Sequence, residues 1–238
     1  MTGRLAAGIV VLLATALGCL GLAVAGPRIR QRATGVAARA LLRALGVAHD
    51  VRGTLPGRSA LVAANHVSWL DVLVFAAHGP VRIVAKREVR TWPLIGWLAD
   101  RGGTLFLERS RPRGLPVAVA EVERALREGS VVVAFPEGTT WCGVHRGTFR
   151  PALFQAACGA GAQVVPVTLA FSLPGEVVTT AAAFVGDDDL LSSIRRVVSL
   201  RGLRISVHVH PAVLPATGDT RRTLARSALL PTPALRTA

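Results

Sequence analysis

Short apolar runs alternate with helix-length segments along most of the chain after residue 57. Apolar runs of strand length lie at residues 60–64, 81–85, 103–107, 130–135, 163–171 and 204–210. Helical periodicity covers residues 33–45, 69–77, 91–99, 116–128, 151–158 and 220–230. Strands that alternate with helices are typical of an α/β fold with a mostly parallel sheet flanked by helices. We predict that fold for residues 58–230, followed by a tail at 231–238.

The N-terminal segment is the longest uninterrupted apolar run in the chain. Residues 5–25 carry no charge and, at about 1.5 Å per residue in a helix, are long enough to span a bilayer. Three basic residues, Arg28, Arg30 and Arg32, follow this run, and such a flank is expected on the cytoplasmic side. We predict a membrane anchor with its basic flank at residues 1–32, holding the catalytic domain at the cytoplasmic face of the cytoplasmic membrane.

A cleaved signal peptide is the alternative interpretation of the N-terminal segment, because Ala23-Val24-Ala25 resembles a cleavage site. Against it, the apolar run is longer than the usual core of such signals. The basic cluster directly after the site also favours an uncleaved anchor.

The helical pattern at residues 33–45 places Arg39 and Arg43 beside an apolar stripe. Such a helix can lie on a membrane surface, and packing against the protein core explains the pattern equally well. Gly46 and the turn-rich residues 53–57 then end the helix. We therefore predict an amphipathic helix and a linker over residues 33–57.

The chain is strongly basic, with 28 Lys and Arg residues against 14 Asp and Glu residues. A basic surface favours anionic partners, such as nucleic acid, anionic lipid or a phosphorylated substrate. Aromatic residues make up only 5% of the chain and tyrosine is absent, so platforms for stacking bases are not expected. The sequence therefore favours a lipid bilayer and an anionic small substrate over nucleic acid.

A histidine and a carboxylate follow the apolar run at residues 60–64. On one straight helix His66 and Asp71 would point about 140° apart, so they can meet only if the chain bends between them. Ser68 and Asp71 have the spacing of a helix start, which supplies the bend. A histidine oriented by a carboxylate is a general base. The alternative is that Ser68 and Asp71 only cap a helix.

Three polar clusters directly follow predicted strands. They are Asn65-His66, Glu108-Arg109 and the run from Pro136 to Thr140. If their strands are parallel, all three clusters lie at one edge of the sheet, where open α/β sheets bind ligands. Glycine at 138 permits close approach of the backbone to a ligand, and Arg109 could bind a phosphate or a carboxylate.

With these residues in place, the chain resembles the glycerolipid acyltransferases of the lysophosphatidic acid type. Four segments carry the resemblance, in the order and at the spacing of that family: Asn65-His66-x-Ser68-x-x-Asp71, residues 103–109 (Gly-Thr-Leu-Phe-Leu-Glu-Arg), residues 135–139 (Phe-Pro-Glu-Gly-Thr) and residues 164–167 (Val-Val-Pro-Val). The resemblance implies a membrane-bound O-acyltransferase that moves an acyl chain from a thioester to a lysophospholipid hydroxyl.

The resemblance also implies roles for individual residues. His66 would deprotonate the acceptor hydroxyl, and Asp71 would orient His66. The residues expected to bind the substrate are Asn65, Ser68, Arg109, Glu137, Gly138 and Thr139. The acyl donor would be acyl-CoA or an acyl carrier protein, with no cofactor and no metal.

One position departs from the family pattern and bears on the acceptor. Many members have arginine directly after Glu-Gly-Thr, whereas this chain has Thr140. The expected reaction is 1-acyl-glycerol-3-phosphate to phosphatidic acid. The Glu-Gly-Thr-Thr variant instead resembles a branch that acylates lyso-ornithine lipids, which is the alternative.

Two other functions compete with acyl transfer. A hydrolase would need a nucleophile elbow of the Gly-x-Ser-x-Gly type, which the sequence lacks. A non-enzymatic basic membrane-binding module would leave His66, Asp71 and Glu137 unexplained. His208 and His210 share one face of a predicted strand, but no third ligand lies nearby in sequence, so no metal site is predicted.

Overall fold

The computed structural model describes residues 3, 4, 6, 7, 9, 10, 26–108, 114–216 and 218–229. Most of the predicted transmembrane helix at residues 5–25 and all of the predicted tail at 231–238 lie outside the described residues. Among the described residues, no helix is both long enough and apolar enough to cross a bilayer. The membrane anchor therefore stays a prediction.

The described strands are short and mostly apolar. They are β1 (Ala48–Arg52), β2 (Ala60–Ala64), β3 (Val81–Lys86), β4 (Leu105–Leu107), β5 (Val131–Ala134), β6 (Gln163–Ser172) and β7 (Arg204–Val209). The described helices are α1 (Pro27–Leu45), α2 (Leu70–His78), α3 (Ile95–Arg101), α4 (Gly114–Arg127), α5 (Phe154–Ala160), α6 (Leu190–Ser199) and α7 (Arg221–Ala228). Two 3₁₀ turns, Arg87–Thr91 and Pro151–Leu153, lie between them.

Within the described residues the strands form one sheet in the order β1-β7-β6-β2-β5-β3-β4. Strands β6, β2, β5, β3 and β4 run parallel to one another, whereas β7 is antiparallel to β6 and β1 is parallel to β7. The predicted mostly parallel sheet is confirmed. It follows that the carboxyl ends of β2, β4 and β5 lie at one edge, which we call the carboxyl edge.

Helices cover both faces of the sheet and bury an apolar cluster on each. Helices α1, α2 and α6 contribute to the cluster on the first face, and α4, α5 and α7 contribute to the cluster on the second. Strand β2 lies in the middle and is buried along its whole length, with Val62 in the first cluster and Leu61 in the second. A parallel strand buried on both faces is apolar throughout, which explains why its sequence shows no alternation.

Helix α1 begins at Pro27, earlier than the predicted start at residue 33. Proline fits the first helical turn because its missing N–H would have no partner there. The helix places Leu41, Leu42 and Leu45 in the first apolar cluster, where it packs against α2. For this part of the helix, the structure shows packing against the protein core.

Strand β1 lies in the segment that was predicted to be a linker. Residues Ala48–Arg52 pair in parallel with residues 204–208, so the sheet begins before residue 58. The prediction was wrong for residues 48–52 because this edge strand is polar and only partly buried. Its pairing with β7, not its own apolar pattern, makes it a strand.

The predicted helix at residues 91–99 is interrupted in the structure. Trp92 is extended, as expected for a residue that precedes proline, and Leu94 has a φ of 59°. Helix α3 therefore starts only at Ile95.

Candidate active site

His66 and Asp71 lie at the carboxyl edge, where β2 leads into α2. His66 lies in the connection, and Asp71 lies in the first turn of the helix, as the sequence predicts. Nδ1 of His66 is 2.8 Å from Oδ2 of Asp71. The chain bend between them is held by the Asp71 N–H, which donates to the Ser68 carbonyl at 3.1 Å. The predicted meeting of the two side chains is therefore confirmed.

The Asp71 carboxylate determines which nitrogen of the His66 ring carries the hydrogen. Asp71 is fully buried, whereas 21% of the His66 side chain is exposed. Oδ2 of Asp71 also accepts the backbone N–H groups of Val67 at 2.7 Å and Ser68 at 2.9 Å. Because an ionised carboxylate only accepts hydrogen bonds, we assign the ring hydrogen to Nδ1. This tautomer leaves the lone pair on Nε2, where it can take a proton from a substrate.

The other oxygen of Asp71, Oδ1, is buried and has no hydrogen-bond partner among the described residues. All the bonds of this carboxylate that the structure shows therefore converge on Oδ2. An amide at this position could keep these bonds through its oxygen and place its NH₂ group where Oδ1 lies.

Phe135, at the end of β5, supports the histidine ring. The rings of Phe135 and His66 stack with centroids 4.0 Å apart and planes 16° apart. Phe75 of α2 packs against Phe135 from the apolar core, with centroids 6.1 Å apart. Phe135 therefore limits how far the His66 ring can turn. The sequence gives no signal for this role, because the two rings come together only in the folded sheet.

Glu137 binds the backbone of the connection between β2 and α2, residues 65–69, which we call the histidine loop. Its Oε2 accepts the His66 N–H at 2.8 Å, and its Oε1 accepts the Gly147 N–H at 3.0 Å. The side chain is buried, and burial is the main reason that the pKa of Glu137 is raised. The two N–H bonds and the positive charge of Arg146 oppose that shift. Both oxygens are thus occupied by the protein.

Asn65 and Ser68 are also buried, and their polar groups contact the protein. The amide of Asn65 donates to the Leu169 carbonyl at 3.0 Å and accepts the Leu169 N–H at 2.7 Å. These two bonds continue the pairing of β2 with β6 beyond the last strand residue. Ser68 Oγ lies 3.5 Å from the N of Leu70 at the helix start. In the structure, Asn65, Ser68 and Glu137 therefore position the loop.

The turn that follows β5, residues 136–140, lies at the carboxyl edge, and we call it the Glu137 turn. Gly138 has a φ of 80°, which favours glycine, and Thr139 is exposed. Either can meet a substrate. Arg109, the third predicted contact, lies outside the described residues, but β4, which precedes it, ends at the same edge.

A further segment, residues 179–184, contacts the histidine loop through its last residue. The Phe184 N–H donates to the Val67 carbonyl at 2.9 Å, and the Thr140 hydroxyl donates to the Phe184 carbonyl. The Trp141 N–H donates to the His66 carbonyl at 2.8 Å. Thr140 thus ties the Glu137 turn to this segment, a role that the sequence does not reveal.

The comparisons with known proteins agree with this geometry. The family model described as Acyltransferase matches residues 48–170. The lyso-ornithine lipid O-acyltransferase of Pseudomonas aeruginosa is 40% identical over 201 residues, covering 84% of this chain and 76% of that protein. The 1-acyl-sn-glycerol-3-phosphate acyltransferase of Neisseria gonorrhoeae is 35% identical over 184 residues, covering 76% and 71%.

Among solved structures, the 1-acyl-sn-glycerophosphate acyltransferase PlsC of Thermotoga maritima has a TM-score of 0.57 to this chain. The sequences are 18% identical, and the match covers 93% of this chain and 92% of that one. At this identity the likeness shows a shared fold.

Proposed function

This chain belongs to the Acyltransferase family and is an acyltransferase, and on that premise we propose that it transfers a fatty acyl chain from a thioester to the free hydroxyl of a lysolipid. The observation that carries the proposal is the 2.8 Å contact between His66 Nδ1 and Asp71 Oδ2 at the carboxyl edge. It places a base whose side chain is 21% exposed, oriented by a buried carboxylate, where a ligand can reach it. A hydrolase and a non-enzymatic module are set aside by the family match.

In the proposed mechanism, Nε2 of His66 takes the proton of the acceptor hydroxyl as its oxygen attacks the thioester carbonyl carbon. The new C–O bond forms, the C–S bond breaks, and the thiolate leaves. The imidazolium of His66 then returns the proton to the thiolate. The Asp71 carboxylate stabilises the imidazolium while the proton is held.

We assign the remaining residues to two groups. Asn65, Ser68 and Glu137 position the histidine loop, because their polar atoms contact the backbone. Gly138, Thr139 and Arg109 are proposed to contact the acceptor. The acyl donor is proposed to be acyl-CoA or an acyl carrier protein.

The two acceptors to distinguish are lysophosphatidate and lyso-ornithine lipid. Lysophosphatidate is the acceptor that the motif pattern favours. Thr140 and the 40% identity to the Pseudomonas aeruginosa protein favour lyso-ornithine lipid. Purified full-length protein should therefore be given radiolabelled acyl-CoA or acyl carrier protein with each lysolipid in turn. A labelled diacyl product with at least one acceptor supports the function, and no product with either acceptor and either donor contradicts it.

We further propose that residues 5–25 anchor the chain in the cytoplasmic membrane, with the catalytic domain on the cytoplasmic side. The uncharged apolar run and the basic flank support this proposal. Alkaline or high-salt washing should leave the protein in the membrane fraction. A mature N-terminus at Gly26 would instead identify the segment as a cleaved signal.

A further inference from the structure

Two arginines lie beside the Glu137 turn, in the connection from β5 to α5. They are Arg146 and Arg150, and neither forms an ion pair with a carboxylate of a described residue. Each lies next to a backbone contact with the turn that supports His66. Their position and their lack of an ion-pair partner point to an anion that binds there.

The Arg146 guanidinium is half-buried, and its Nε is buried without a hydrogen-bond partner among the described residues. Burial is the main reason that the pKa of Arg146 is lowered, and the negative charge of Glu137 opposes that shift. Each Glu137 oxygen already accepts one backbone N–H group. A buried guanidinium N–H without a partner carries a free-energy cost, which an incoming anion would remove.

The Arg150 guanidinium lies against Gly138. A Cβ atom added at Gly138 would be 3.0 Å from Nε and 3.1 Å from Cζ of Arg150. The absence of a side chain at 138 therefore makes room for this guanidinium. The Arg150 N–H donates to the Pro136 carbonyl at 2.9 Å, which fixes the backbone of Arg150 beside the turn.

Both arginines lie close to the catalytic histidine loop. One carboxylate, that of Glu137, bridges the N–H of His66 and the N–H of Gly147, the residue after Arg146. In the acceptor, a few covalent bonds separate the reacting hydroxyl from the anionic headgroup. In acyl-CoA, the long pantetheine arm separates the thioester from the phosphates. An anion held beside His66 therefore fits the acceptor better than the donor.

We propose that Arg146 and Arg150 form an anion site for the phosphate or carboxylate of the lysolipid headgroup. This inference rests on the proposed function. Guanidinium groups bind both kinds of anion through paired N–H groups, so the site suits either candidate acceptor. It would also supply positive charge close to the turn in which this chain has Thr140, where many members of the family have arginine.

The test measures steady-state kinetics of Arg146→Gln, Arg150→Gln and the double variant, with Arg222→Gln as the matched control. Arg222 is an exposed arginine of α7 and lies outside the site. We expect each single variant to raise the acceptor KM about tenfold or more, with the donor KM unchanged and kcat changed less. The control should behave as the wild type. Thermal unfolding checks that each variant folds.

The proposal is overturned by an unchanged acceptor KM, by a rise in the donor KM instead, or by a loss of kcat alone. An effect in only one variant overturns the shared site and assigns the anion to that arginine.

Direct binding separates this proposal from the proposed function. Radiolabelled lysophosphatidate in mixed detergent micelles would be bound to His66→Ala protein with and without Arg150→Gln. About tenfold weaker binding with the second substitution supports the anion site even if no acyl transfer is found. Monoacylglycerol, which lacks the phosphate, should bind both proteins equally. Equal binding of lysophosphatidate to both would contradict the site.

Discussion

Two buried carboxylates bind His66, and they do so in different ways. Asp71, at the start of α2, binds the imidazole ring and two backbone N–H groups through the single oxygen Oδ2. Glu137, in the turn after β5, binds the backbone N–H of His66 and that of Gly147, one with each oxygen. One carboxylate therefore orients the reacting group, and the other positions the chain that carries it.

The difference lies in what each negative charge does. In the proposed mechanism, the charge of Asp71 faces the ring that becomes positive when it takes a proton, so it acts during the reaction. The two oxygens of Glu137 serve as acceptors for N–H groups that do not change during the reaction. Amide substitutions at the two positions should therefore differ mainly in their effect on turnover.

The largest effect in this comparison is expected from Asp71→Asn. The amide oxygen can keep the three bonds that Oδ2 makes, and the NH₂ group can take the place of Oδ1. The substitution thus removes the charge with little change of geometry. We expect kcat to fall about 10²-fold or more. Chemical denaturation should show a free energy of unfolding lowered by about 1–3 kcal/mol, because the NH₂ group would lie where Oδ1 has no hydrogen-bond partner among the described residues. A much larger loss of stability would show that Asp71 is mainly structural.

A smaller effect on turnover, with a similar loss of stability, is expected from Glu137→Gln. An amide has only one acceptor oxygen, so one of the two buried N–H groups loses its partner. This should lower the free energy of unfolding by about 1–3 kcal/mol. When the two variants are compared at the same folded fraction, kcat should fall less in Glu137→Gln than in Asp71→Asn. If the order of the two kcat losses is reversed, the assignment of the two carboxylates is wrong.

The stability difference between the wild type and Glu137→Gln should also depend on pH. Burial raises the folded-state pKa of Glu137 above its ordinary value of 4.5. The contribution of this carboxyl is then fully present below that value and decreases as pH rises through the folded pKa. The advantage of the wild type should therefore shrink as pH rises above 4.5. Denaturation series at increasing pH above this value test it, and an advantage that grows with pH would contradict the raised pKa.

The smallest effect is expected from Thr140→Val, which removes the hydroxyl that ties the Glu137 turn to Phe184. Such a bond contributes about 0.5–1.5 kcal/mol to stability, so kcat/KM should fall by no more than about two- to tenfold. Thr140→Ser keeps the hydroxyl and should restore most of the activity. A serine variant as impaired as the valine variant would mean that the bond is not what matters.

The sequence predicts best what depends on local pattern. The continuous apolar run of β2 indicates a buried parallel strand, and the Ser68 to Asp71 spacing correctly indicates the bend that brings Asp71 to His66. Strand β1 was missed because its polar residues become a strand only through pairing with β7. Local pattern is therefore enough for central strands but not for this edge strand.

Within the site, the residue types were predicted, but several of their contacts were not. Glu137 was expected to bind substrate, whereas its partners are backbone N–H groups. Every residue except proline has such a group, so the sequence does not indicate which of them will be bound. The stacking of Phe135 on His66 depends on two strands that are adjacent in the sheet but distant in the chain. Such contacts follow from the tertiary fold.

The central claim is that His66 is the general base, and single-residue replacement tests it most directly. The kcat of His66→Ala should be measured with saturating acceptor and donor, with circular dichroism as the check on folding. General-base catalysis contributes about 10²–10⁴-fold, so turnover should fall by that factor while the acceptor KM changes little. A folded His66→Ala protein that retains more than about a tenth of wild-type turnover would contradict the account.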